Sequence, residues 1–221
     1  MTDQLVRPAW AQADSLLQRY YDTEWGVPVT HERGVFERVC LEGFQAGLSW
    51  RTILAKREAF RKVFAHFDPE AVAQFTEDDV ERLAHDSRII RHRGKIRAAI
   101  ANAQVTLALR ERAAAGEASL QGFTVDRVRT NDVEPAGTLD VDAGLPALIW
   151  GFRPAATPCP ASLEEIPTQD ATSAALALEL KKQGVKFIGP TSAYALMEAI
   201  GLIDTHLVDS HRRGISGIYR D

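Results

Sequence analysis

A chain of 221 residues, 45% hydrophobic and 25% charged, has the length and composition of one large or two small globular domains with a real core. No apolar run approaches the ~18–20 residues that cross a bilayer. MTDQLVRPAW lacks the apolar stretch of a secretion signal. Cys40 and Cys159 stand too far apart in sequence to imply a disulfide scaffold, so a cytoplasmic protein is expected. A net charge of −4 argues against wholesale coating of nucleic acid while leaving room for a local basic face.

The first informative stretch is YYDTEWGVPVTHERGVFERVCLEGFQAGLSW, residues 20–50. It concentrates the rings of Tyr20, Tyr21, Trp25, Phe36, Phe44 and Trp50. Val35, Phe36, Val39, Cys40 and Phe44 recur at helical spacing, and Glu42 falls at the border of that stripe. Flat rings beside an acid on a helix edge suit a pocket for a planar, polar or cationic ligand. The same pattern also describes an aromatic core with Glu42 solvated at its rim.

Helical signals then follow one another. Ser49 is placed to cap a helix carrying Ile53, Leu54, Phe60 and Phe64. Asp68-Pro69 reads as an N-cap with proline at the first helical position. Thr76 with Asp79 resembles a capping box. RIIRHRGKIR, residues 88–97, gathers Arg88, Arg91, His92, Arg93, Lys95 and Arg97 at the start of a helix whose face is Ile96, Ile100, Ala103 and Leu107. Cations there oppose the helix dipole. Phosphate contact would account for them, and so would a solvated charged face.

Residues 114–143 interrupt the pattern with Gly116, Gly122, Pro135, Gly137 and many acids, and read as a surface insertion or mobile loop. DRVRT, near Asp126, admits a short extended piece. After LPALIWGF and a proline-rich connection, residues 170–201 read as helix, hairpin, helix. Asp170 caps the first, Gly184 ends it, and Gly201 stops the second. A tight turn bounded by Gly184 and Gly189 can offer backbone N–H groups to a phosphate, with Lys186 at its tip. An ordinary αα-hairpin is the other reading. The expected fold is all-α, in a single domain over residues 1–221.

The blocks YYDTEWGVP, CLEGFQAGLSW, DDVERLAHDSRIIRHRGKI, EIPT and KKQGVKFIGPTSAYALMEAIGLIDTH resemble the DNA-3-methyladenine glycosylase I family, within the helix-hairpin-helix DNA glycosylase superfamily. They keep the family's order and span most of the chain. The resemblance implies a cofactor-free, monomeric enzyme that flips an alkylated adenine out of double-stranded DNA and hydrolyses its N-glycosidic bond. By position, Glu42 would contact the base edge while Tyr20, Trp25 and Trp50 form or support the stacking walls. Leu48 would plug the gap left in the DNA stack. Arg91, Arg93 and Lys95, with the hairpin around Lys186 and Gly189, would meet the DNA backbone. Asp204, in IDTH, is either a catalytic carboxylate that stabilises the oxocarbenium-like sugar or activates water, with catalysis favoured, or a helix cap.

Three departures accompany the resemblance. Zinc, which family members hold with two Cys and two His, would fall on Pro8, Tyr21, His206 and Ser210, of which only His206 is a ligand, so no metal is expected. Phe44 replaces a polar residue of the LEG-x-QAGLSW block, and Leu17 an aromatic one. Two other classes fit parts of the pattern: a non-catalytic helix-hairpin-helix damage sensor, and a helical enzyme for a small cationic metabolite. A glycosylase with shifted base specificity is the nearer alternative.

Overall fold

The computed structural model describes residues 5–128 and 137–219. A single turn, α1 (Ala9–Gln12), leads into α2 (Ser15–Thr23), where the Asp14 carboxylate accepts from the Leu17 N–H at 2.9 Å. The chain then enters α3 (Glu32–Gln45), and every residue from Gly34 to Phe44 is buried. This follows from its position: α4 (Trp50–Val63), α7 (Arg93–Ala114), α8 (Leu145–Trp150) and α10 (Pro190–Ala199) all pack against it. The apolar stripe predicted for α3 is therefore only part of what is buried, and Glu42 is enclosed with it.

The caps fall where local chemistry puts them. Ser49 accepts from the Thr52 N–H to start α4, and Asp68 accepts from the Glu70 N–H to start α5 (Pro69–Ala73), with Pro69 in the first turn. At α6 (Glu77–Ala84) the Asp79 carboxylate returns to the Thr76 N–H at 2.9 Å. Phe44, Phe60, Phe64, Phe67 and Phe75 form a chain of rings between α3, α4 and the start of α6, with centroids 4.6–6.1 Å apart. Phe44 is thus a core residue.

Part of the stretch expected as irregular is a two-stranded antiparallel hairpin. β1 (Phe123–Arg127) pairs with β2 (Gly137–Val141), Phe123 opposite Val141 and Arg127 opposite Gly137. Val125 and Val141 reach the core while Thr124, Asp126 and Asp140 stay out. So few inward side chains leave little alternation to read. The middle of the expected insertion, residues 129–136, lies outside the described residues. The fold remains all-α apart from this ribbon.

Asp170 caps α9 (Ala171–Gln183), and Gly184 ends it in the left-handed region at φ +98°. The hairpin turn then leads into α10, which packs on α9 and α3. Beyond α10 the chain folds back across the DTEWG turn. A Cβ on Gly201 would lie 2.5 Å from the Gly26 carbonyl oxygen, and one on Gly26 2.4 Å from the His206 ring. Both glycines also have positive φ, so no other residue fits either place. Among the described residues no helix is long and apolar enough to cross a membrane.

Candidate active site

A cavity of about 380 Å³ opens where the N-terminal helices, α3 and α10 meet. Its walls carry Trp10, Tyr20, Trp25 and Trp50, Tyr194 and Glu198 of α10, and Ile166, Pro167 and Thr168 from the segment before α9. Glu42 and Gln45 contribute from α3. All four residues expected to hold a base, Tyr20, Trp25, Glu42 and Trp50, thus face one space. The Tyr20 and Trp50 rings lie 5.5 Å apart at 48°, and Trp25 sits edge-on to Trp10 at 5.5 Å. The volume lies in the range of small-molecule pockets.

The Glu42 carboxyl is enclosed in this wall and only 3% exposed. Burial pushes it up to about 8, the nearby Glu198 pushes the same way, and Arg38 opposes both. Glu198 is raised to about 7 by burial, against the Thr205 hydroxyl that donates to its Oε1 at 2.6 Å. The cavity therefore holds two acids, from two helices, in a place where ionisation is costly. Sequence reasoning missed Glu198, as well as Trp10, Gln45 and Tyr194. Its one available signal was that Glu198 is the sole acid on α10, one turn after Tyr194.

An ion-pair network fixes the turn that carries Trp25. Arg57 donates to both oxygens of Glu24, at 2.6 and 2.7 Å, and to Glu37 at 2.7 Å. Arg38 donates to Glu24, and Arg61 to Glu37. The network ties the exit of α2 to α3 and α4. Behind Trp25 the Tyr21 ring stacks at 5.6 Å and His206 packs edge-on at 4.5 Å.

Leu48 is exposed at 41% in the turn between α3 and α4, two residues before Trp50. Arg91 is on the surface, and Lys186 is exposed at the hairpin. Lys186 and Phe187 share a shallow hollow with Gly94, Arg97 and Ala98, so the two segments expected to meet phosphate form one face. The turn differs from the expected glycine-bounded loop in one respect. A Cβ on Gly189 would meet nothing within 4 Å, and the left-handed residue at the tip is Phe187 at φ +61°.

Three members of the basic cluster need another account. Lys95 is buried, and its ammonium donates to the Phe44 carbonyl at 2.9 Å and to that of Ala46 at 2.5 Å, closing the C-terminus of α3. It is not a surface cation. Arg93 lies on the surface but is held by both oxygens of Glu81 at 2.7 Å, and Arg97 is held likewise by Glu77. Acids on α6 thus answer the charges at the start of α7.

Asp204 does not line the cavity. Its Oδ1 accepts from the His206 N–H at 3.0 Å and lies 2.7 Å from His206 Nδ1, while Oδ2 accepts from the Gly214 N–H at 2.7 Å. Burial works against its charge, but His206, Gly214 and Arg213 outweigh burial and hold the carboxyl below its ordinary value. The acid organises the C-terminal tail. It lies beyond α10 and caps no helix.

The zinc positions can be checked against the same region. Pro8 has no donor, and the Tyr21 and Ser210 hydroxyls are hydrogen-bonded to each other at 2.6 Å. Only His206 Nε2 is left, buried and without a hydrogen-bond partner. Among the described residues no group of three or more His, Cys, Asp or Glu converges to hold a metal. These residues do not fit a tetrahedral zinc. What joins the termini is the Tyr21–Ser210 bond, with Arg7 and His211 both on Asp22.

A helical bundle with a helix-hairpin-helix beside an acid-bearing, ring-walled cavity is the architecture of a helix-hairpin-helix glycosylase. The family model described as methyladenine glycosylase matches residues 10–143 and 136–213, and the chain belongs to that family. DNA-3-methyladenine glycosylase 1 of Escherichia coli strain K12 is 42% identical over 207 residues, covering 92% of this chain and 95% of that protein. A crystal structure of 3-methyladenine DNA glycosylase I aligns with a TM-score of 0.79 at 39% identity, covering 94% of this chain and 100% of that one. The 3-methyladenine DNA glycosylase I of Staphylococcus aureus, solved for the structural basis of its 3-methyladenine recognition, aligns at 0.76 with 29% identity, covering 93% of this chain and 95% of its own.

Proposed function

We propose that this protein is a DNA glycosylase that removes alkylated, 3-methyladenine-like purines from double-stranded DNA by hydrolysing the N-glycosidic bond, as a cytoplasmic monomer in base excision repair. The observation that carries this reading is the enclosed Glu42 carboxyl on the wall of a cavity shared with Tyr20, Trp25 and Trp50. A methylated adenine still bound to its sugar is flat and cationic. Electron-rich rings and an acid favour it over neutral adenine.

The chemistry then needs little push. The electron pair of the N-glycosidic bond passes to the cationic purine, which leaves neutral. Water adds its hydroxyl to the sugar carbon and releases a proton. The protein's part is to bind, desolvate and favour the charge that moves onto the sugar. Glu42 is the acid that would act on the base, and the geometry around Asp204 supports a structural role for it instead. Leu48, exposed in the turn before Trp50, would fill the gap in the duplex, and Arg91, Lys186 and Gly189 would meet its backbone.

Chromatography of bases released from dimethyl-sulfate-treated DNA tests the proposal. Wild type is expected to release 3-methyladenine, and Glu42→Gln to release far less while melting as a folded protein. No release by wild type would favour a damage sensor, and unchanged release by the variant would remove Glu42 from the site.

A further inference from the structure

We propose that Glu198 is a specificity-determining residue for base excision: it is a second carboxyl facing the flipped base, so that the pocket receives a cationic purine between two acids. This rests on the glycosylase reading above. Glu42 comes from α3 and Glu198 from α10, and the two line the same cavity. Thr205 Oγ1 fixes one Glu198 oxygen at 2.6 Å, which orients the carboxyl and leaves its second oxygen for a ligand.

Among the described residues no cation acts on Glu198. The groups that act on the pair are Arg38, which favours the charge on Glu42 alone, the neutral Thr205 hydroxyl, and the Tyr20 and Tyr194 phenols, which burial keeps protonated. Arg38 is already committed to Glu24. A buried Glu42 and a half-buried Glu198, with less than one cation between them, hold a proton until a positively charged guest replaces it. A neutral purine offers no such exchange. Selection for charge is thereby built into the pocket, beyond the stacking that any purine enjoys. Glu198 adds to the burial that raises the proton affinity of Glu42.

The test is Glu198→Gln, which keeps the side-chain volume and the oxygen that accepts from Thr205. Release of 3-methyladenine from dimethyl-sulfate-treated duplex DNA would be followed as kcat/KM between pH 5.5 and 9, with a melting curve for each protein. In the variant Glu42 loses its like-charge neighbour and ionises at lower pH. The acid limb of kcat/KM should move down by roughly half a unit or more. At pH 8, where Glu198 is largely ionised and Glu42 about half so, KM should rise by roughly tenfold, with kcat much less affected. Superimposable profiles would overturn the inference. So would a loss of equal size at every pH, which marks a structural role. If wild type itself releases no base, the glycosylase reading fails first and takes this one with it.

Discussion

Glu42→Gln should change how the unliganded protein responds to pH before any DNA is added. The wild-type carboxyl is raised from 4.5 to about 8, chiefly by burial. A group raised in the folded state supports the fold below its unfolded value and loses that support as pH rises toward the folded one. Between pH 5.5 and pH 8 the unfolded chain carries almost a full charge at this residue throughout, while the folded form goes from fully protonated to about half ionised. At about 1.4 kcal/mol per unit, this makes wild type roughly 3 kcal/mol less stable at the higher pH through Glu42 alone. For a chain of this size the equivalent is about 6–12 °C in Tm. Glutamine has no such titration, and any packing penalty it brings is the same at both pH values. In thermal scans of the unliganded protein, the Tm of the variant minus that of wild type should therefore increase by that amount from pH 5.5 to pH 8. Parallel curves would mean that Glu42 is solvated, and the pocket argument would fail with it.

Leu48→Ala is expected to lower kcat/KM on duplex DNA by roughly tenfold while leaving the binding of free 3-methyladenine unchanged, and equal losses in both assays would place Leu48 in the base pocket instead. Lys186→Ala should weaken binding to all duplexes alike and flatten the log K against log salt plot by about one, a change that fluorescence titration at several salt concentrations would detect or exclude. Asp204→Asn should cost about 1–3 kcal/mol of stability through its bonds to His206 and Gly214, with an unchanged single-turnover rate, whereas a slower chemical step in a stably folded variant would return Asp204 to the catalytic machinery. Elemental analysis of the purified protein should find no stoichiometric zinc, and one equivalent would contradict the Tyr21–Ser210 arrangement.

What the chain spells out locally could be read in advance. Ser49, Asp68, Asp79 and Asp170 act within three residues of themselves, so their caps follow from short patterns. The ring wall was legible because Tyr20, Trp25 and Trp50 crowd one segment around Glu42. Trp10 escaped because it stands outside that segment, on a helix of one turn. Lys95 and Arg93 were misjudged as a unit because their partners, the α3 carbonyls and Glu81, lie 12 to 51 residues away in sequence. Glu198 was hidden for a similar reason: the cavity it shares with Glu42 is built from helices far apart in sequence. The ribbon of β1 and β2 has too few buried side chains to announce itself.

The clasp between Tyr21 and Ser210 bears on how the cavity is assembled. Tyr21 braces Trp25, and Ser210 lies 189 residues downstream of it. One flank of the cavity therefore gains its backing only when two segments far apart in the chain have met, a contact whose loop-closure entropy is spent before any stabilisation returns.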